Sequence, residues 1–172
     1  VSDEIIISKA LTDKWIKELK MDDFGAETAW IGWKKNDWDI SWNRIVTKIS
    51  GNEVSLNAPL TMALDDVYGT AKETIYTWPG RIEHIGIENI LMKSTYNASN
   101  PKDEEHRWQG ISIENTKNAW VKQVNFKHFA GGAVAALKSA QQITVEDCIA
   151  TEPISEIAGF RRLTFYTEGQ QT

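Results

Sequence analysis

The chain has 172 residues, of which 41% are apolar and 25% charged, with a formal net charge of −5. That balance suits a globular fold and argues against disorder, and against a nucleic-acid partner, which calls for a basic stripe. No run of about 18 apolar residues occurs, so no membrane-spanning helix is expected, and the lone Cys148 excludes an intrachain disulfide.

Val1-Ser2-Asp3-Glu4 has neither the charged nor the apolar region of a leader, so the chain is expected to be mature or excised. Ile5–Ser8 reads as a short strand. Thr12 suits an N-cap for a helix from Asp13 to about Met21, with Trp15, Ile16 and Leu19 as its apolar stripe. Asp22–Trp42 shows no period and is expected to be a long structured loop. Four of the chain's eight tryptophans crowd there: Trp30, Trp33, Trp38 and Trp42. They serve either as core and corner packing or as rigid faces on which sugar rings stack. Gly51-Asn52, between Arg44–Ser50 and Glu53–Leu56, predicts a tight hairpin over residues 44–57. Thr74–Trp78 reads as one more strand. Residues 1–80 are thus an N-terminal β and loop segment with a helix near 13–21.

From Arg81 the pattern changes. Ile113–Phe126 superposes on Leu137–Ala150 at a shift of 24 residues, bringing Ile113 onto Leu137, Ala119 onto Ile143, Val121 onto Val145, Val124 onto Cys148 and Phe126 onto Ala150. A fixed shift that superposes short apolar runs is how stacked repeats read in sequence. Ile87, Ile90 and Met92 match Val121, Val124 and Phe126, and a fourth repeat opens at Arg161 with Leu163 and Phe165 as inward positions. Cys148 falls in a core slot, as a buried and inert thiol. Gly169-Gln170-Gln171-Thr172 resembles Ala140-Gln141-Gln142-Ile143, so the chain is expected to stop at the start of its next strand. Further coils, from a parent chain or another copy, are expected to cover that end.

Gly80-Arg81-Ile82, Gly86-Ile87-Glu88-Asn89-Ile90, Ala119–Phe126 and Ile143–Cys148 resemble the pectate-lyase-like right-handed parallel β-helix proteins. The run Ile49–Asn52, Leu56–Thr61 and Tyr68-Gly69 looks like the entry segment of secreted bacterial members. The resemblance spans roughly Val46 to Thr172. It implies a mainly β fold in which residues 81–172 form about three to four parallel β-helix coils. It also implies a secreted, periplasmic or cell-surface protein acting on an extracellular, acidic polysaccharide as a lyase or glycoside hydrolase, or else a non-catalytic glycan-binding or structural module. The family's best-known catalytic motifs are missing: Glu152–Glu156 lacks the arginines of the plant-type lyase motif, and Asp65-Asp66 is the one echo of the hydrolase signature.

Chemistry on an acidic sugar needs cations, a base of matched pKa and a proton donor. His84, His106 and His128 recur at near-coil spacing, and His106 and His128 are expected to approach each other on adjacent coils. With Lys127, Arg161 and Arg162 they form the candidate catalytic set. Of the adjacent arginines at most one faces a groove, as an anion clamp, the alternative being a pair with Glu152 or Glu156. Trp33, Trp38, Trp108 and Lys93 are candidate substrate contacts, Lys93 and Lys127 being equivalent like charges that suggest a polyanion. Asp103, Glu104 and Glu105 offer hard oxygens suited to Ca²⁺, or are simply a solvated acidic loop. Lys122 over Glu146 is expected as a structural ion pair, and Asn115 over Ser139 as a structural ladder.

Overall fold

The computed structural model describes residues 1–25, 31–159 and 161–172; Trp30 and Phe160 lie outside the described residues. The chain divides into two units, Val1–Trp78 and Pro79–Thr172. Among the described residues no helix is long and apolar enough to cross a membrane.

The first unit is built on an antiparallel sheet. Strand β1 (Glu4–Ala10) lies between β2 (Asp39–Ser50) and β4 (Ala71–Ile75), and β3 (Glu53–Leu56) completes the order β3-β2-β1-β4. Alternation in β1 sends Ile5 and Ile7 into a core with Trp42 and Val46. Lys9 falls on the same side and is 1% exposed; its ammonium donates to the Asp65 carbonyl at 2.9 Å. Thr12 caps the helix α1 (Asp13–Glu18), its Oγ1 accepting from Trp15 N at 3.3 Å. The helix stops at Glu18, short of Met21, because Lys20 turns left-handed at φ 56°, and this leaves Leu19 exposed.

Two further expectations are corrected. Residues Asp39 to Trp42, read as loop, are strand, because they pair residue by residue with β1 from Ala10 back to Ile7. Trp42 is therefore core, and its Nε1 donates to Thr61 Oγ1 at 2.9 Å. The last strand of this unit is Ala71–Ile75, earlier than Thr74–Trp78, again set by pairing with β1. The hairpin forms as expected around Gly51 (φ 59°), with a register shift between Val46 and Lys48.

The second unit is parallel throughout its sheets. Its strands are β5 (Ile82–Glu83), β6 (Gly86–Glu88), β7 (Leu91–Lys93), β8 (Gln109–Ile113), β9 (Thr116–Lys122), β10 (Asn125–Lys127), β11 (Gly132–Ala136), β12 (Gln141–Glu146), β13 (Ile149–Thr151) and β14 (Phe165–Thr167). They make three unclosed sheets: β7-β10-β13, β8-β11-β14, and β12-β9-β5 with β6 also on β9. The expected register is present in the last two segments: Ala119 pairs with Ile143, Val121 with Val145 and Phe126 with Ala150. Ile87 pairs with Val121, and Met92 with Phe126. Ile113 is one residue off, pairing with Ala136, with Leu137 donating to its carbonyl. One core takes side chains from all three sheets, with Val121, Val124 and Phe126 at its centre, each 1% exposed or less. Cys148 packs partly buried against this core. Leu163 and Phe165 are about half exposed, at 45% and 50%. Phe165 pairs with the buried Val134, but among the described residues no further strand lies on its far side.

The bends between strands carry a second repeat that hydrophobic patterning does not reveal. Asn89, Gln123 and Asp147 share the left-handed conformation (φ 57°, 53° and 52°), and so do His84, Asn118 and Gln142 (φ 59°, 52° and 56°). Each trio stands at matching positions of successive segments. A left-handed L-residue costs roughly 1–2 kcal/mol, so these bends persist because the ladders on both sides hold them. Gln123 N donates to Glu146 O at 3.0 Å and Asn89 N to Lys122 O at 3.1 Å, carrying pairing through the bend. The chain's last residues extend the second column. Gln170 bridges Gln141, Gln171 is left-handed like Gln142, and Gln141 Nε2 donates to Gln171 Oε1 at 3.0 Å.

Replacing Phe126, 1% exposed, with alanine is expected to lower stability by about 3–5 kcal/mol, as large aromatic truncations in packed cores do. Urea unfolding monitored by circular dichroism measures it, and a loss under 1 kcal/mol (~) would contradict this packing.

Candidate functional site

The loop from Ser94 to Trp108, between β7 and β8, has no counterpart of similar length between β10 and β11. It is held by its own polar side chains. Asp103, 6% exposed, accepts from Asn97 N at 2.8 Å and from Glu105 N at 3.0 Å. These two backbone donors hold its carboxyl below the usual carboxylate range. Asn97 and Asn100 cap local turns by accepting from Ser99 N and Lys102 N. Beside the loop opens a cleft of about 700 Å³, lined by Tyr96, Asn100, Glu105, His106 and Arg107 among others.

His106 and His128 are brought together through an intermediary. The ring of Tyr96 lies 6.1 Å from His106 and 4.9 Å, edge-on, from His128. His106 Nε2 is 3.0 Å from the Ile154 carbonyl, a pure acceptor, and Nδ1 is 3.0 Å from Ser94 Oγ, which also donates to the Thr95 carbonyl at 3.2 Å. His128 differs. Its Nε2 is 3.0 Å from Glu152 Oε2, and its Nδ1 is buried without a hydrogen-bond partner. His84 is exposed and sits in the left-handed column.

The remaining candidates are distributed among ion pairs. Lys127 stacks on Lys93 in register, and Glu152 relieves the repulsion by accepting from Lys127 Nζ at 2.8 Å. Lys127 first, then His128, holds Glu152 down to a pKa of about 2. Arg161 binds Glu104 at 2.5 Å and holds that carboxyl below its ordinary range. Arg162 donates to Ser155 Oγ at 3.1 Å and to Ser155 O at 2.8 Å. With Lys102–Glu156 at 2.8 Å and Glu156 N on Glu104 at 3.1 Å, these contacts sew the 102–105 and 154–162 segments together. The expected partners of the two arginines, Glu152 and Glu156, are not the ones they take.

Asp103, Glu104 and Glu105 diverge. The first turns into its own loop, the second to Arg161, and the third lines the cleft. Among the described residues no three histidine, cysteine, aspartate or glutamate groups gather where they would hold a metal ion. Asp65-Asp66 belongs to a one-turn helix cap, Asp65 Oδ1 accepting from Val67 N. Lys122–Glu146 is a 3.0 Å pair, and Asn115 N donates to Ser139 Oγ at 2.8 Å, both as expected. Trp33 and Trp38 meet edge to face at 5.0 Å in the first unit, Trp33 packing on the Leu11, Trp15 and Ile16 cluster. Trp108, 40% exposed, lies so close to Gly131 that a Cβ there would sit 2.1 Å from its ring. Tyr96, Arg107 and Ser94 were not singled out from sequence; only their place in an oversized polar loop could have marked them.

A Glu152 pKa near 2, against an ordinary 4.5, stabilises the fold above about pH 4.5 and loses that contribution as pH falls toward 2. The carboxylate is solvent-exposed, so screening trims the effect. Glu152→Gln is expected to flatten the acid limb of Tm against pH between those values, while Asp103, Glu104 and Glu156 keep a residual slope. Superposable acid limbs in thermal melts would refute the ion-pair assignment.

Compared with protein-family models, with curated proteins and with solved structures, the chain matches none of them.

Proposed function

We propose that residues 81–172 belong to a right-handed parallel β-helix of pectate-lyase-like type, and that the protein binds an acidic extracellular polysaccharide in the cleft beside the 94–107 loop. In-register parallel ladders and stacked left-handed bends support the fold reading, and right-handed crossovers are the rule for parallel strands. The reading places the protein outside the cytoplasm, as secreted or surface-held.

One observation carries the choice of ligand. Arg107 lines the cleft together with the carboxylates of Asp103 and Glu105, Lys93 stands at the other end of the loop as the last residue of β7, and neither cation has an ion-pair partner among the described residues. Of the other candidate cations, Lys127 is neutralised by Glu152 and Arg161 by Glu104, while Arg162 is held by the uncharged Ser155. A uronate or sulfate in the cleft meets the Arg107 guanidinium beside an aromatic ring, Tyr96, with the Lys93 ammonium at the far end of the loop adding to the positive field. The binding reading suits this arrangement better than the catalytic one, because most candidate acid–base groups are spent on holding loops. His106 favours a second reading, as a lyase or hydrolase. It lines the cleft, and an imidazole is the side chain most often used for proton transfer.

Affinity electrophoresis in sodium polygalacturonate and in alginate, with dextran as neutral control, tests the proposal. The wild type is expected to be retarded by an acidic polymer, less so at high salt, and the double change Lys93→Ala and Arg107→Ala to lose at least about tenfold in affinity, roughly 1.4 kcal/mol. No retardation by either acidic polymer would overturn it. Release of unsaturated or reducing ends, lost in His106→Ala, would move the conclusion to the catalytic reading.

A further inference from the structure

Away from the cleft, the outward side of the β6-β9-β12 sheet has a feature that neither the expected nor the proposed function uses. Along β9, Ala119 and Val121 point inward, at 7% and 1% exposure, so Trp120 between them points outward. It remains 37% exposed. In register it stands between Gly86 of β6 and Thr144 of β12. Two residues on, the same side carries Glu88, Lys122 and Glu146, also in register.

The indole is fixed rather than free. A Cβ at Gly86 would lie 2.1–2.5 Å from its Cε2, Nε1 and Cζ2 atoms, so only glycine leaves room for the ring. Its Nε1 donates to Glu88 Oε1. Thus the ring is seated on one strand and pinned by a carboxylate of that strand, and an exposed aromatic pays little further ordering entropy on binding. Beside it lies a groove of about 370 Å³ bounded by Glu88, Trp120, Lys122, Thr144 and Glu146. That falls within the ~300–1,000 Å³ of small-ligand sites.

We propose that this groove is a second binding site, for the pyranose rings of a neutral polysaccharide. A pyranose presents an apolar C–H face and a rim of hydroxyls. The indole offers a matching apolar face. Thr144 Oγ1, the carboxylates of Glu88 and Glu146 and the ammonium of Lys122 supply acceptors and donors at its edge. Lys122 and Glu146 neutralise each other at 3.0 Å, and Glu88 adds a negative charge, so the groove disfavours a uronate. It is therefore selective against the acidic polymer assigned to the loop cleft, and it does not depend on that assignment.

Intrinsic tryptophan fluorescence and isothermal titration of the whole chain with cellohexaose and mannohexaose test the site, with hexagalacturonate and hexalysine as charged comparators. At least one neutral hexaose is expected to bind. Trp120→Ala is expected to weaken it by about tenfold or more, the factor that goes with ~1.4 kcal/mol. Trp38→Ala and Arg107→Ala are expected to leave it unchanged. Gly86→Ala, which unseats the ring without removing it, is expected to weaken binding too. If Trp120→Ala alters the fold by circular dichroism, Glu146→Gln serves instead and is expected to lower affinity. Three results would overturn the proposal: no binding of either neutral hexaose at millimolar concentration, equal binding by folded Trp120→Ala, or hexalysine binding that is stronger than the sugars' and depends on Trp120. None of these bears on retention by acidic polymers, so the two sites fail separately.

Discussion

Parallel backbone pairing between successive segments is the constraint on which the second unit rests. Once Ile87, Val121 and Val145 are hydrogen-bonded neighbours, every other side chain of those strands has a fixed neighbour as well. That places Glu146 over Lys122, a glycine under Trp120, and Lys127 over Lys93. The left-handed bends are the cost of this arrangement. The non-glycine residues of the two columns hold a conformation they would not choose alone, and the amides of His84, Asn89, Gln123 and Gln142 still find carbonyl partners in the next segment. The strain and the ladder require each other: relaxing a bend would shift the register of the strand that follows.

The same stacking creates electrostatic problems and solves them locally. Lys93 and Lys127 in register repel, and Glu152, one position beyond the paired strand, bridges Lys127 to His128. The His128 imidazole gains a carboxylate on one side and is walled on another by Tyr96, leaving Nδ1 buried without a hydrogen-bond partner. Further along, Lys102, Glu104, Glu156 and Arg161 form a network that ties two loops rather than reaching outward. Most charges of the candidate set also tie neighbouring segments to one another. Among the described residues Lys93 and Arg107 have no ion-pair partner, and Arg162 is held by Ser155 instead of a carboxylate.

Where periodicity is strict, the sequence was readable. The apolar positions of Ala119, Val121, Phe126 and their partners follow from one shift, and the Lys122–Glu146 pair comes with it. The Gly51-Asn52 hairpin and the Thr12 cap are local signals that need no tertiary help. Asp39–Trp42 was misread because its strand character comes from pairing with Glu4–Ala10, far away in the chain. The left-handed columns were hidden because His84, Gln123 and Gln142 are not residues that advertise that conformation, as glycine does. Gly86 beneath Trp120 was legible in principle, since matching Ile87 to Val121 sets it there; a missing side chain simply carries no hydrophobic signal. Arg161 found Glu104 rather than Glu152 because loop-to-loop distances are not encoded in any period.

The unequal spacing between segments has a consequence of its own. Between β7 and β8 the chain takes the long path through Ser94–Trp108, whereas β10 reaches β11 by way of four residues, His128 to Gly131. Both routes deliver the chain to the same ladder, with Gln109 beside Gly132. The scaffold is therefore indifferent to how much chain is spooled out at that corner, since closing a longer loop costs only ~0.6 kcal/mol per doubling. The surface this corner presents can therefore be remade by lengthening, shortening or exchanging the excursion, with the stacked interior left as it stands.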